Sequence, residues 1–303
     1  MGKAWDGSKI AYDVALWSEA LRVLKPGGHL LAFGGTRTWH RLAVAVEDAG
    51  FEIRDSIAWM YGSGFPKHRA ALKPAFEPIV MARKPFKGSL SANEAIHGTG
   101  ALSIDGCRIA GNIEEMRGRS GTSAIPGGDT SSYRAHNADG GIWEPAPAGR
   151  WPANVVLDEH MAGVLDGQSG VSRTAPRGKP SRGAAMMTAS ATTDISASRT
   201  NPTEPVEYSD EGGASRFFYV AKAAKRERPV VDGVAHPTVK PVALMRWLVR
   251  LVTPPGGTVL EPFAGSGATV EACILEGFHC IAIEREAEYL PLIQARINRQ
   301  DAA

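Results

Sequence analysis

One stretch carries residue types that could do chemistry: VLEPFAGSGATVEACILEGFHCIAIERE, residues 259–286. A short apolar run ends in Glu261. A glycine turn with Phe263, Gly265 and Gly267 follows, then a helical segment, then a second apolar run ending in Glu284. Gly265 and Gly267 let the backbone turn tightly and approach a ligand where a Cβ would collide. A phosphate-binding P-loop would need Gly-Lys-Ser/Thr, which is missing, and Val270 stands where a dinucleotide fingerprint needs a small residue. A lone Gly-x-Gly also serves as a plain structural turn. Glu284 shifts the balance, because an acid ending the next strand can accept from both hydroxyls of a ribose. The pair favours a nucleoside cofactor without a pyrophosphate, and S-adenosylmethionine fits that description.

Just before it stands HPTVKPVALMRWLV, residues 236–249. Its prolines force an extended turn through Thr238, and Pro241 suits the first position of a helix. Leu244, Trp247, Leu248 and Leu251 would bury one face of that helix. Lys240 is either a solvated turn lysine or a cation for an anionic ligand. Together the two segments resemble the cofactor motifs of the amino-group DNA methyltransferases. Their order, with the cofactor half almost at the C-terminus, resembles the permuted beta class, phage or prophage type. The resemblance implies a Rossmann-like α/β methyltransferase sheet in permuted order. It implies an S-adenosylmethionine site formed by Thr238, Lys240, Pro241, Glu261, Phe263, Gly265, Gly267 and Glu284, with Lys240 facing the methionine carboxylate and no metal. The implied reaction is methylation of the exocyclic amino group of adenine or cytosine in double-stranded DNA.

That chemistry needs a loop of the form Asp/Asn/Ser-Pro-Pro-Tyr/Phe, whose polar groups draw the target nitrogen's lone pair out of conjugation. The 303 residues do not contain it. The single Pro-Pro, Pro254-Pro255, follows Thr253 and precedes Gly256, and reads as a loop spacer. The opening residues MGKAWD resemble a family segment that closely follows the catalytic loop. The expectation is therefore a catalytic loop upstream of Met1, and a chain that starts just after it with no catalytic residue of its own. The sheet would lack the strand between HLLAFGG and TVLEPFAG.

The elements that must position these residues are legible in outline. DVALWSEALRVL is a helix stopped by Lys-Pro-Gly-Gly. HLLAFGG is a short buried strand, and TRTWHRLAVAVEDAG a second helix capped by Thr36 or Thr38. FEIRDSIAWMYG and EPIVMARKP read as further strands, and the alternation argues for a parallel sheet with helices on its faces. From about 88 to 215, Gly, Ser, Thr, Ala and Pro dominate and periodicity is lost. GRWPANVVLD (149–158) and ASRFFYVAKAAKRER (214–228) stand out as islands. The expected division is 1–87 as the catalytic half, 88–215 as a target-recognition insertion with little order over 110–213, and 216–303 as the cofactor half.

Net charge is +2, from 34 Lys and Arg against 32 Asp and Glu, which permits a nucleic-acid partner without demanding one. Arg117, Arg119, Arg173, Arg177, Lys179 and Arg182 sit in loops that could meet phosphates, and Lys222, Lys225 and Arg226 follow the aromatic residues Phe217, Phe218 and Tyr219. Loop arginines are more often simply solvated, so none is assigned a base. Three cysteines without CxxC spacing point to a reduced, cytoplasmic setting with neither zinc nor disulfide. No apolar run is long enough to span a membrane. A homodimer is compatible with the reading. The rival readings are a non-catalytic prophage remnant that binds cofactor or DNA, and an oxidoreductase, which Val270 disfavours.

Overall fold

A computed structural model describes residues 7–64, 69–70, 72–110, 149–173, 211–221 and 227–301. Met1 and the rest of the opening MGKAWD lie outside the described residues, and so does the expected junction with a catalytic loop upstream of Met1. Most of the segment 110–213, and Arg117, Arg119, Arg177, Lys179, Arg182, Lys222, Lys225 and Arg226, lie outside them too.

The first part runs α1 (Val14–Val23), β1 (His29–Phe33), α2 (Trp39–Asp48), β2 (Glu52–Met60), β3 (Phe76–Arg83) and α3 (Leu90–His97). Then come β4 (Val155–Asp158), α4 (Glu159–Ser169), the two-residue strands β5 (Ser172–Arg173) and β6 (Glu211–Gly212), and β7 (Tyr219–Ala221). The last part is β8 (Val230–Val231), β9 (Val234–Ala235), α5 (Val242–Val252), β10 (Thr258–Glu261), α6 (Ala268–Glu276), β11 (His279–Ala282) and α7 (Leu290–Asp301).

Five strands form one sheet in the order β1-β3-β2-β4-β7. The sequence suggests a parallel sheet, and the structure corrects this. β3 lies between β1 and β2 and runs antiparallel to both. An apolar run carries no sign of its direction, so periodicity alone could not have told this. β2, β4 and β7 are parallel, so both islands of the insertion join the sheet.

β3 also organises the core. Its side chains alternate faces, as a strand requires. Val80 and Ala82 pack with Trp17 of α1, Leu42 and Val46 of α2, and Phe51. Ile79 and Met81 face the other way, onto a cluster holding Ile57, Leu244, Trp247 and Leu248 of α5, and Ala272 and Cys273 of α6. The four apolar positions expected along α5 are all buried.

β10 and β11 form a separate parallel pair. Among the described residues neither the outer edge of β1 nor the outer edge of β10 has a strand partner. Yet Leu31 and Phe33 of β1 and Val259 of β10 pack against one common cluster. β1 is accordingly half-buried rather than buried as its composition suggests.

Candidate cofactor site

The glycine turn leaves β10 at Glu261 and enters α6 at Ala268. Gly265 and Gly267 both adopt left-handed backbone, with φ of 52° and 79°. A Cβ on Gly267 would lie 3.1 Å from the Cα of Ile293, so α7 would have to shift by a few tenths of an ångström. A Cβ on Gly265 would stand 3.0 Å from His236 Nε2. Glycine is needed at both places for conformation and for space.

Two carboxylates latch the turn. Glu284 Oε2 accepts from the Gly265 N–H at 2.6 Å, and its Oε1 accepts from the Glu286 N–H at 2.8 Å. Glu261 accepts from the Phe263 N–H at 2.9 Å and from the Thr269 hydroxyl at 2.7 Å. The Ala264 N–H donates to the Ile283 carbonyl at 2.9 Å, tying the turn to the end of β11. The Phe263 ring remains 48% exposed beside this turn. Glu261, Phe263, Gly265, Gly267 and Glu284 thus form one compact group.

Thr238, Lys240 and Pro241 approach from the turn before α5. His236 Nδ1 accepts from the Thr238 N–H at 3.2 Å, so in the neutral ring Nε2 carries the proton. The His236 ring meets Tyr289 edge-on, with centroids 4.6 Å apart. His236 therefore joins this turn to the glycine loop. Pro241 directly precedes α5, and the next N–H, that of Val242, donates to Glu227 Oε2 at 3.0 Å.

Lys240 points toward the five-stranded sheet. Its ammonium pairs with the Glu77 carboxylate and lies 4.8 Å from the Phe33 ring centroid and 5.5 Å from that of Trp59. Burial, and then the Glu77 charge, push the nearby Tyr61 hydroxyl above its ordinary value. Sequence reasoning did not select Glu77 or His236 as site residues. Glu77 stands 163 positions from Lys240, and nothing local signals the pair. His236 reveals its role only through the bond its ring nitrogen accepts from the Thr238 amide.

Arg173, proposed to meet phosphate, pairs with Glu211 at 2.8 Å on an exposed edge. Phe217 is part-exposed between the guanidinium groups of Arg150 and Arg216, at 5.2 and 4.3 Å. Among the described residues no group of three or more His, Cys, Asp or Glu is placed to hold a metal ion. No described helix is long and apolar enough to cross a membrane.

Two features of the turn fit an adenosyl group: an exposed aromatic ring, Phe263, and the Glu284 carboxylate just past the end of the neighbouring strand. The type II methyltransferase M.HindIII of Haemophilus influenzae is 34% identical over 116 residues, which cover 29% of this chain and 37% of that protein. The chain thus spans little more than a third of the length of this curated relative. Among solved structures, the M1.HpyAVI–SAM complex aligns over 94% of this chain and 82% of its own, with 16% identity and a TM-score of 0.44. The PvuII DNA methyltransferase, cytosine-N4-specific, aligns over 93% and 68%, with 12% identity and a TM-score of 0.45. The profile of the N6/N4 methyltransferase family, described as DNA methylase, matches residues 10–295, and the chain belongs to that family.

Proposed function

We propose that this chain is the body of a beta-class, permuted DNA methyltransferase of prophage type. The enzyme of which it is the body moves a methyl group from S-adenosylmethionine to the exocyclic amino group of adenine or cytosine in double-stranded DNA. The single observation that carries the cofactor assignment is the glycine turn latched by Glu284, in a member of the DNA methylase family. When bound, S-adenosylmethionine supplies an electrophilic methyl on a sulfonium. The chain's own residues bind and orient. Glu284 accepts from the ribose hydroxyls while keeping Gly265 in place, Phe263 covers the adenine, and Thr238 lies toward the amino-acid end. Lys240 serves the methionine carboxylate from its seat beside Glu77, sharing its donors between two anions. A cytoplasmic setting and a homodimer are consistent with this reading.

The unpaired edges of β1 and β10 support a seat for the catalytic strand between them. A segment filling it would bring an Asp/Asn/Ser-Pro-Pro-Tyr/Phe loop beside Glu261 and Phe33. The 303 residues contain no such loop. By itself this chain binds the cofactor and transfers no methyl group. The rival reading, a non-catalytic binder of cofactor or DNA, rests on the same missing loop.

Calorimetry with S-adenosylmethionine tests the cofactor assignment. Glu284→Ala should weaken binding by about 1–3 kcal/mol, because it removes a half-buried, charged acceptor for both ribose and turn. Unchanged affinity would sink the assignment. Labelled methyl transfer to mixed-sequence DNA by the 303-residue chain would overturn the proposed need for a separate loop.

A further inference from the structure

A buried arginine lies beneath the glycine turn. Arg296 of α7 is 0% exposed. Its Nε donates to the Ser266 carbonyl at 2.7 Å, inside the turn itself. One terminal nitrogen pairs with the Glu271 carboxylate in the first turn of α6. The other donates to the Glu227 carbonyl at 2.5 Å. The Glu227 carboxylate in turn accepts from the Val242 N–H where α5 begins, two residues after Lys240. One planar guanidinium therefore joins the glycine turn, α6 and the lead-in to α5, the three parts that frame the candidate cofactor site.

Packing alone does not require this. A buried ion pair can often be replaced by apolar residues of similar volume with no loss of stability. What an apolar pair could not do is hold the Ser266 carbonyl. Ser266 lies between Gly265 and Gly267, and glycine itself restricts the backbone little, so the direction of the Ser266 carbonyl depends on its partner. The fork of an arginine fixes two carbonyls and a carboxylate at set angles, which a lysine ammonium cannot reproduce. The geometry points to Arg296 as a positioning residue for cofactor binding, holding the glycine turn and the start of α5 in register. This rests on the reading of the turn as the S-adenosylmethionine site.

Three variants of the full chain separate positioning from mere stability. Arg296→Lys keeps a charge for Glu271 but cannot hold both carbonyls. Glu271→Gln keeps the arginine fork on both carbonyls but removes the ion partner. The double variant Arg296→Met/Glu271→Leu replaces the pair with apolar side chains. Each is measured for thermal midpoint, for amide hydrogen exchange over residues 264–268, and for S-adenosylmethionine affinity. In Arg296→Lys, affinity should fall about tenfold and the turn amides should exchange at least about tenfold faster. Glu271→Gln should stay within about threefold of wild type in both, whatever its midpoint. The double variant should follow Arg296→Lys in affinity while recovering its midpoint.

Wild-type affinity and exchange in Arg296→Lys would overturn the inference. So would losses in Glu271→Gln as large as in Arg296→Lys, since affinity would then merely follow stability. A wild-type chain that does not bind S-adenosylmethionine would overturn the functional reading instead. The exchange rates at the turn would still decide the role of Arg296.

Discussion

The five-stranded sheet and the β10–β11 pair are built on different principles. In the first, β3 is hydrogen-bonded on both sides and its central residues are fully buried between two helical layers. In the second, among the described residues, two four-residue strands pair only with each other. Ile281 is 57% exposed, and so is much of β11. The glycine turn nevertheless sits on this thinner pair. Helices hold it there: α5 and α6 from the shared core, and α7 through Ile293 and Arg296. The backbone of this turn is fixed from below by helices rather than by a continuous sheet.

The largest expected effect comes from removing the difference. A chain extended ahead of Met1 by an apolar strand ending in Asp-Pro-Pro-Tyr should pair with both β1 and β10. At about 0.5–1.5 kcal/mol for each ladder hydrogen bond, a five-residue strand bonded on both sides should add on the order of 5 kcal/mol. Methyl transfer should appear with it. Thermal unfolding and labelled transfer read the two effects. An extension that leaves stability unchanged would mean that the edges are not a seat.

Next in size is the contrast between core positions. Ile79→Ala in β3 opens a cavity where nothing can collapse easily, and should cost about 2–5 kcal/mol. Ile281→Ala in β11 removes a side chain that is more than half exposed and should cost less than about 1 kcal/mol. Denaturant midpoints for the two variants measure this directly. Equal losses would show that β11 is covered by something the described residues do not include.

Much of the second region was legible from sequence because its signals are local. The α5 stripe, the turn glycines and Glu284 all declare themselves within 50 residues. The first region was harder. The direction of β3 and its place between β1 and β2 follow from long-range pairing. α3 was missed although Ser89 accepts from the Ala92 N–H and Gly98 ends the helix in left-handed backbone. Both are readable capping signals that the loop-like composition masked. α4 contains Gly163 and Gly167, which lower helix propensity, and its first turn depends on Asp158 accepting from the Met161 N–H. Arg296 looks like any charged residue on a terminal helix. Only its three partners, 25 to 69 positions away, reveal it.

The regions should also differ in their response to acid. In the first, burial, then Arg83 and Arg54, lower the His29 pKa from 6.5 to about 4. The folded ring therefore refuses a proton that the unfolded chain accepts in that window. Stability is full above pH 6.5 and declines as pH falls toward about 4. The loss should be roughly 2 kcal/mol, discounted from the full shift because solvent reaches part of the ring. His29→Gln, uncharged throughout, should flatten this part of the profile. Thermal midpoints of the two proteins between pH 7 and pH 4 give the difference. Parallel profiles would mean that His29 is protonated in the fold.

The smallest effect belongs to the second region and lies in a different window. Glu276, at the end of α6, accepts from Arg246 at 2.6 Å and from Arg250 at 2.7 and 2.6 Å, stapling α6 to α5. Burial opposes its ionisation, yet the hydrogen bonds from Arg250 and Arg246 hold the carboxyl below its ordinary 4.5. The folded form thus keeps its charge more readily than the unfolded one. The stabilisation is present above pH 4.5 and is lost as pH falls through and below that value. Both arginines are more than a third exposed, so Glu276→Gln should cost only about 1 kcal/mol at pH 7. The difference between variant and wild type should shrink below pH 4.5 and should not change between pH 7 and 5, where His29 acts. A Glu276 contribution that instead declined above pH 5 would show that the two regions do not titrate separately, and that the core they share transmits the charge of one to the other.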